Sequence, residues 1–458
     1  MTECTQSNFE FSTHYQREVV ARFDGGTMTS DGGGLLLRET DQRLKLLSRF
    51  AQAFLDGRDP QRIKHSLEEM VSQRVYGLAL GYEDVNDHEQ LRHDPLLAVL
   101  AGKREVGEES LAGKSTLNRL ELGPREKNRY RKISCQPEVI DELMTTIFLE
   151  SQEVAPERIV LDLDATDLRL HGHQEERFYH GYYDSYCYLP LYIFSGEQLL
   201  CSRLRSASED GASGSVAEVE RIVNQIRTKW CGVQIILRAD SGFCRDELMD
   251  WCERNQVDYV LGVSRNPRLE RRIGKALNKA RGRFAVTGQA ARTFVEFYYR
   301  TRDSWSRRRR VVAKAEWLEK GANPRFVVTT LGPREWHAQA LYEELYCERG
   351  EAENRNKEQL SLFADRVSAE SMKANQLRVY FAGMAYVLMT GLRRLGLQGT
   401  KLARAQATTI RLRLLKIGAR IRITARKVWL SMASSYPWQA LYEQVYEQLR
   451  GEKQNCPA

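Results

Sequence analysis

The stretch from residue 155 to 265 constrains the fold most, because strand-like and helix-like runs alternate along it. Apolar β-type runs cover 158–164, 184–194, 198–207, 233–240 and 259–263. Apolar residues at helical spacing cover 215–230, and a shorter helical run covers 245–254. The resulting order is strand, hairpin, helix, strand, helix, strand. This order predicts an α/β fold with a mixed sheet and helices on its faces.

Two of these predicted strands end in aspartates. The first carries Asp162 and Asp164, and the run 233–240 ends in Asp240. Side chains alternate along a strand, so Asp162 and Asp164 face the same side. A crossover helix would place the strand that ends in Asp240 beside the first one. A single aspartate at a strand end is more often a helix cap or a solvated charge, so neither strand identifies a site alone.

A third acidic residue lies far downstream on a predicted helix. Tyr346, Arg349, Glu353 and Lys357 are spaced three, four and four residues apart, which places them on one helical face. Such a face is also compatible with a surface helix stabilised by ion pairs between Glu353 and its basic neighbours. Together, two strand aspartates and one helix glutamate supply the oxygen ligands of a two-metal site that cuts phosphodiesters.

Composition limits the compartment and the partners. The chain has 458 residues and a net charge of +8, enough length for two or three domains and a weak indication of a polyanionic partner. Its nine cysteines are odd in number and none are spaced Cys-x-x-Cys, which argues against a zinc ribbon or a disulfide framework. Neither a signal peptide nor a membrane-length apolar run is evident, so we expect a cytoplasmic, nucleoid-associated protein with no membrane partner.

The flanking regions differ from the central one. Residues 1–150 are predicted to be mostly helical and DNA-binding, with 61–80 and 110–120 as candidate recognition helices. Residues 266–325, within a catalytic domain at 155–365, are predicted to be a β-rich insertion whose strands include 284–286. Residues 366–458 are predicted to be helical and then to form a basic hairpin between 410 and 432.

Two clusters of cations are candidates for DNA contact. One follows Trp305 and consists of Arg307, Arg308, Arg309 and Arg310. The other runs from residue 401 to 427 without an acidic residue and includes Arg420 and Arg422. A charge run is usually a solvated face, but unopposed cations also neutralise DNA phosphates by counterion release. Trp305 has two interpretations, a base-stacking residue or a core residue of the insertion.

Three blocks of the chain resemble a known family. Asp164-Ala165-Thr166, the block from Arg238 to Phe243 and the block from Tyr346 to Asn354 are similar to the signatures of DDE-type transposases of bacterial insertion sequences. The stretches 171–174 and 181–183 are similar to those of the insertion-sequence thirteen-eighty family. The resemblance spans most of the chain and is clearest from 158 to 360. It implies a ribonuclease-H-like catalytic fold and cut-and-paste transposition of double-stranded DNA.

The resemblance also implies residue roles. Asp164, Asp240 and Glu353 would be the catalytic triad that holds two Mg²⁺ or Mn²⁺ ions, with Asp162 as an alternative first ligand. Tyr346, Arg349 and Lys357 would bind DNA phosphates. In the wider signature the lysine follows the glutamate by seven residues, where this chain has Leu360, so Lys357 would replace it. A homodimer would act on the paired element ends and the target DNA.

Two other functions remain open from the sequence. One is a ribonuclease-H-like nuclease without strand transfer, and the other is a non-catalytic DNA-binding regulator derived from a transposase. The acidic residues at all three positions argue against the regulator. His171, His173 and His180 lack the further ligands that a zinc site needs, which favours a structural or DNA-contacting role for them.

Overall fold

The computed structural model describes residues 8–106, 109–122 and 132–451. Contacts divide the chain into two units, Met1–Ser134 with Met384–Ala458, and Cys135–Gly383. The second unit is continuous and contains all three signature acids. The predicted division at 1–150, 155–365 and 366–458 stays a prediction.

Helices and strands cover most of the described residues. The α-helices are α1 (Gly34–Leu44), α2 (Leu46–Gln52), α3 (Leu67–Leu80), α4 (His88–Leu91), α5 (Pro95–Leu100), α6 (Lys114–Glu121), α7 (Pro137–Glu150), α8 (Ser215–Lys229), α9 (Asp246–Arg254), α10 (Pro267–Arg272), α11 (Gly274–Thr287), α12 (Ala338–Ala340), α13 (Gly350–Ser361), α14 (Met372–Gly396), α15 (Ala407–Ile410) and α16 (Gln439–Arg450). The strands are β1 (Phe9–His14), β2 (Arg17–Ala21), β3 (Met28–Thr29), β4 (Phe54–Asp56), β5 (Ile133–Cys135), β6 (Arg158–Ala165), β7 (Leu168–Arg169), β8 (Phe178–His180), β9 (Ser185–Tyr188), β10 (Leu191–Ser195), β11 (Gln198–Arg203), β12 (Gln234–Ala239), β13 (Asp258–Val263), β14 (Ala291–Tyr299), β15 (Arg309–Leu318), β16 (Gly321–Ala322), β17 (Arg325–Thr329), β18 (Ala419–Ile423) and β19 (Val428–Met432).

A large mixed sheet organises the second unit, as the sequence predicts. Its strand order is β11-β10-β6-β12-β13-β17-β15-β14, with β16 paired to β15. Strands β6, β12 and β13 run parallel to one another, whereas β10 and β17 are antiparallel to their neighbours β6 and β13. The carboxyl ends of β6, β12 and β13 therefore meet at one edge of the sheet.

The two faces of this sheet have separate apolar layers. On one face, Leu161 and Leu163 of β6 pack with Ile222 of α8 and other buried side chains. On the other face, Ile236 and Val260 pack with Leu341 and Leu345 of the segment that follows α12. Burying each such side chain contributes about 1.5–3 kcal/mol, so both layers hold the sheet in place.

The predicted β-rich insertion at 266–325 is wrong in its first half. Helices α10 and α11 occupy Pro267–Thr287, and α11 includes the predicted strand at 284–286. Local signals explain the start of α10, because Asn266 caps it through the N–H groups of residues 268 and 269 and Pro267 lies at the first helical position. In its second half, β14 and β15 form a hairpin that β17 joins to the main sheet.

The first unit contains helices and small sheets. The predicted basic hairpin is observed as β18 and β19, but helical turns occupy Ala407–Leu415, where the sequence predicted the hairpin to begin. In the described ranges, no helix is both long and apolar enough to cross a bilayer.

Candidate active site

Strand register brings two of the predicted acids together. In the parallel pair β6–β12, Ala239 lies opposite Leu163, so Asp240 and Asp164 come next on adjacent strands. Side-chain alternation turns both away from the layer that contains Leu163 and Ala239. The face they share is the one covered by the helical segment that begins at α12.

The third acid arrives on an irregular helical segment. After α12 the chain forms a π-helix at Leu341–Tyr346, a 3₁₀ turn at Cys347–Arg349, and then α13. Leu341 and Leu345 are buried against the sheet. This packing holds the segment that carries Arg349 and Glu353 over the strand edge. The helix that the sequence predicts is present, but its turns are not uniformly α.

Asp164 is the most enclosed of the three acids, with 8% of its surface exposed. Its Oδ2 accepts a hydrogen bond from Asn356 Nδ2 at 2.8 Å, and its Oδ1 lies 3.8 Å from Arg349 Nη1. Burial raises the pKa of Asp164 to about 6; Arg349 opposes this shift, while Asp240 and Glu353 add to it. Both other acids are therefore close enough to Asp164 to raise its pKa.

Asp240 has one carboxylate oxygen in use. Its Oδ1 accepts a hydrogen bond from the Gly242 N–H at 2.7 Å and so caps the turn Ser241–Phe243. Among the described residues, no side chain or backbone group donates to its Oδ2. The capping role that is common for an aspartate at a strand end thus accounts for Oδ1. Oδ2 is available to another ligand.

Arg349 lies between Asp164 and Glu353. Its Nη2 is 3.1 Å from Glu353 Oε1, and the Glu353 side chain is 53% exposed. Within the described ranges, no three Asp, Glu, His or Cys side chains are arranged to hold a metal ion. In this arrangement the Arg349 guanidinium neutralises the charge of Asp164 and Glu353.

The donor set nevertheless suits a divalent cation chemically. Asp164, Asp240 and Glu353 offer carboxylate oxygens, the ligands that Mg²⁺ prefers. Asn356 adds an amide Oδ1 that is buried and has no hydrogen-bond partner among the described residues. Burying an oxygen without a hydrogen-bond donor costs free energy. A cation close to Asp164 would provide the missing partner for Asn356 Oδ1.

Asp162, the alternative first ligand, is engaged elsewhere. Its two oxygens accept hydrogen bonds from Arg238 Nε at 2.5 Å and Nη2 at 2.8 Å. Arg238 Nη1 donates to the backbone carbonyl of Leu345 at 2.5 Å and lies 3.3 Å from Glu348 Oε2. This buried pair ties β6 and β12 to the π-helix. It favours Asp164 over Asp162 as the ligand.

Other predicted residues of this segment are placed differently. Tyr346 lies at the strand edge, with its ring centroid 5.5 Å from that of Tyr342. Lys357 is exposed and forms no ion pair with a described residue. Asn356, which the sequence reasoning missed, is the α13 residue that contacts Asp164. The signal in the sequence that could have identified Asn356 is its position three residues after Glu353.

The arginine run after Trp305 is largely committed to intramolecular pairs. Trp305 is 5% exposed and packs against Tyr299, which favours its core interpretation. Arg309 lies 2.6 Å from both Asp246 and Glu253, and Arg310 pairs with Glu296 at 2.5 Å. Arg307 pairs with Asp250 and Glu253, whereas Arg308 is exposed.

Register also separates this run from the carboxylates. β15 pairs antiparallel with β17, with Arg310 opposite Thr329 and Lys314 opposite Arg325. β17 in turn pairs antiparallel with β13, whose last residue, Val263, lies opposite Phe326. The turn that holds the arginine run is therefore at the opposite edge of the sheet from Asp240.

Two other predicted DNA contacts lie in the first unit. Arg420 and Arg422 are exposed on β18 and form no ion pair with a described residue. The Arg422 guanidinium lies 5.9 Å from the ring centroid of Trp429, on β19. These cations remain available to an anionic partner.

The chain is similar to a solved structure and to a protein family. A solved structure that resembles this one is described as the cryo-EM structure of piggyBac transposase synaptic complex with hairpin DNA. The two chains are 10% identical with a TM-score of 0.39, and the match covers 84% of this chain and 79% of the other. No curated protein matches the chain. The family model for the transposase DDE domain, group 1, matches residues 11–454. The chain therefore belongs to the transposase DDE domain family, group 1, and is a DDE transposase.

Proposed function

We propose that this transposase moves an insertion sequence of the thirteen-eighty type by a cut-and-paste route. It would cleave double-stranded DNA at the element ends and join the freed 3′-hydroxyl to target DNA. The observation that carries the proposal is geometric: strand register sets Asp164 beside Asp240, and Arg349 lies 3.8 Å from Asp164 and 3.1 Å from Glu353. Asp164, Asp240 and the Arg349–Glu353 pair are remote from one another in sequence, so local structure alone does not account for their proximity.

The strand order supports a ribonuclease-H-like catalytic fold. Three consecutive antiparallel strands, β11, β10 and β6, are followed by β12 and β13 running parallel to β6. Such a sheet presents β6 and β12 at its centre, where both strand-end aspartates lie. The hairpin β14–β15 and β17 would then be an extension of this sheet before the glutamate helix.

The contacts support the following roles. Asp164, Asp240 and Glu353 would hold two Mg²⁺ or Mn²⁺ ions, which supply an activated nucleophile and a stabilised leaving oxygen. Asn356 orients Asp164 through its hydrogen bond. The Arg349 guanidinium and the Tyr346 hydroxyl would hold the phosphate that is cut, and Lys357 would contact the strand beside it.

DNA outside the cut would meet other surfaces. The exposed cations Arg420 and Arg422 would neutralise backbone phosphates, and residues 1–150 would distinguish the element ends. Two copies of the chain would pair the ends before cleavage. Loss of affinity with rising salt is the expected signature of such contacts.

The test is a strand-transfer assay with purified chain, Mg²⁺, a target plasmid and linear DNA that carries the sequences flanking the gene. We expect the wild type to form joined products. In Asp240→Ala and Glu353→Gln the yield of joined product should fall by at least about 100-fold while DNA binding is retained. Asp303→Asn, an exposed acid at the opposite edge of the sheet, is the matched control and should react like the wild type.

Each alternative has a distinct result in the same assay. Cleavage without joined product would indicate a nuclease without strand transfer. DNA binding without metal-dependent cleavage would indicate a regulator. Full cleavage by both acid variants would overturn the site assignment.

A further inference from the structure

A cavity of about 720 Å³ opens beside Asp240. Its walls come from the loop after β13, the start of β17 and the helical segment with Tyr342 and Tyr346. Three arginines line it, Arg265, Arg325 and Arg349, and we call it the arginine cavity.

The sheet register explains why these arginines meet beside the carboxylates. β13 is parallel to β12, so it ends at the edge where Asp240 lies, and Arg265 follows two residues after that end. β17 runs antiparallel to β13, with Phe326 opposite Val263, so Arg325 starts β17 at the same edge. Strand pairing thus brings both arginines to the edge where Asp240 lies.

The charge of the arginine cavity is unbalanced. Asp240 is the one acidic residue among its described lining residues, against three guanidinium groups. Arg349 is engaged by Asp164 and Glu353. Arg265 and Arg325 are exposed, and within the described ranges neither side chain forms an ion pair or hydrogen bond. Guanidinium groups without a carboxylate partner are suited to bind a phosphate.

The arginine cavity is large enough to hold a ligand bigger than a phosphate group. About 720 Å³ lies within the roughly 300–1,000 Å³ that small-molecule sites occupy, so a phosphate with its sugar and base fits. The rings of Tyr342 and Tyr346 provide an aromatic wall. A nucleotide offers the matching parts, an anionic group for the arginines and a flat base for the tyrosines.

We propose that the arginine cavity binds a single nucleotide of the DNA strand next to the bond that is cut, with its phosphate held by Arg265 and Arg325. This inference rests on the proposed function. It adds a contact that would fix the strand on the side of Asp240 that faces β13 and β17. The neighbouring phosphodiester is then held at Asp164 and Asp240.

The first experiment measures DNA affinity with Arg265→Gln, Arg325→Gln and the double variant. The probe is a fluorescein-labelled duplex that carries the flanking sequence of the gene, followed by fluorescence anisotropy over a salt series. Each single variant should bind about tenfold more weakly, because a charge-assisted hydrogen bond is lost. The double variant should lower the slope of log affinity against log salt by about one.

The control variant is Arg302→Gln. Arg302 is exposed, forms no ion pair with a described residue, and lies in the turn between β14 and β15 at the opposite edge of the sheet. It should leave affinity and salt slope unchanged. An equal loss in this control would show that general surface charge, rather than the arginine cavity, is responsible, and the proposal would be overturned.

A second experiment locates the bound nucleotide. Duplexes in which one phosphate at a time is replaced by a neutral methylphosphonate are tested with wild type and double variant. At one position beside the cut, the wild type should lose affinity and the double variant should show no further loss. Losses that add to those of the double variant at every position would overturn the proposal.

Failure of this inference is distinguishable from failure of the proposed function. If the arginine variants bind every probe like the wild type while Asp240→Ala abolishes cleavage, the arginine cavity proposal alone fails. If Asp240→Ala cleaves normally, the proposed function fails whatever the binding results. Melting temperatures of all variants report whether folding is retained.

Discussion

Gly262 lies beside Asp240 at the edge of the sheet, where there is no room for a side chain. A Cβ at this position would be 2.6 Å from the Tyr346 hydroxyl oxygen, 2.9 Å from the Ser241 backbone nitrogen and 3.1 Å from the Asp240 carbonyl carbon. Gly262→Ala should therefore displace Asp240 or Tyr346. We expect a loss of strand cleavage of at least tenfold and a destabilisation of about 1–3 kcal/mol.

Gly274→Ala provides the matched control for this prediction. Gly274 begins α11, and nothing lies within 4 Å of an added Cβ there. Alanine also has the higher helix propensity, so this variant should be neutral or slightly stabilised. Cleavage and thermal unfolding of the two variants are compared with the wild type. Normal cleavage by Gly262→Ala would show that the edge tolerates the displacement.

His88 should make the first unit sensitive to acid. It is fully buried, and its Nδ1 lies 3.0 Å from Gln73 Nε2, which also donates to the Ala112 carbonyl. Burial, with a contribution from Arg74, lowers the pKa of His88 to about 3. Because the folded chain favours the neutral ring, this stability is complete above pH 6.5 and is lost as the pH falls from 6.5 towards 3.

The prediction is a pH-dependent difference between wild type and His88→Asn. Between pH 7 and pH 5, the His88 contribution to the free energy of unfolding should fall by about 2 kcal/mol, a loss that the asparagine variant lacks. Asp41, whose pKa is raised by burial to about 6, changes stability in the opposite direction in both chains. Urea unfolding at both pH values measures the difference, and parallel pH profiles would contradict it.

At the scale of elements, the Asp162–Arg238 pair joins β6 and β12 to the π-helix at Leu341–Tyr346. Arg238→Gln should destabilise the second unit by about 3–5 kcal/mol, because Asp162 stays buried without its partner. Asp162→Asn in the same chain should restore most of that stability. The double variant should still cleave slowly, because the hydrogen bond that the Arg238 guanidinium donates to the Leu345 carbonyl is lost.

A double-mutant cycle separates these effects. Urea unfolding gives the coupling energy between residues 162 and 238, and strand cleavage is measured on the same four chains. Recovery of both stability and activity in the double variant would show that the pair is only structural. Recovery of stability alone supports a positioning role for Arg238.

The predictable parts of the sheet are those specified by local patterns. Strands β6, β12 and β13 and helix α8 follow from apolar periodicity, and the rules for parallel strands then place Asp164 beside Asp240. Asn356 was not predictable in this way, because an amide on a helix has no pattern and its partner is 192 residues distant. The carboxylates that pair with Arg307 and Arg309 lie on α9, roughly sixty residues away, so a charge run alone did not reveal them.

At the scale of the whole molecule, the fold should not depend on metal. Arg349 and Asn356 already contact Asp164, and the two layers beside the sheet are apolar. Addition of a chelator should abolish strand cleavage and leave the melting temperature unchanged, unlike the behaviour of a structural metal site. Mn²⁺ should restore cleavage. A lower melting temperature after chelation would indicate that the metal supports the fold.

The regular turns of α13 ahead of Glu353 have a genetic consequence. Each residue of an α-helix turns the chain by about 100°, so removing a single codon at 350–352 would turn the Glu353 side chain away from Arg349 and Asp164. A π-helix carries one residue more per turn than an α-helix, so the segment Leu341–Tyr346 can absorb the loss of one residue as α-helical turns. Single-codon deletions at 350–352 should therefore abolish transposition much more readily than those in the surface turns of the same gene.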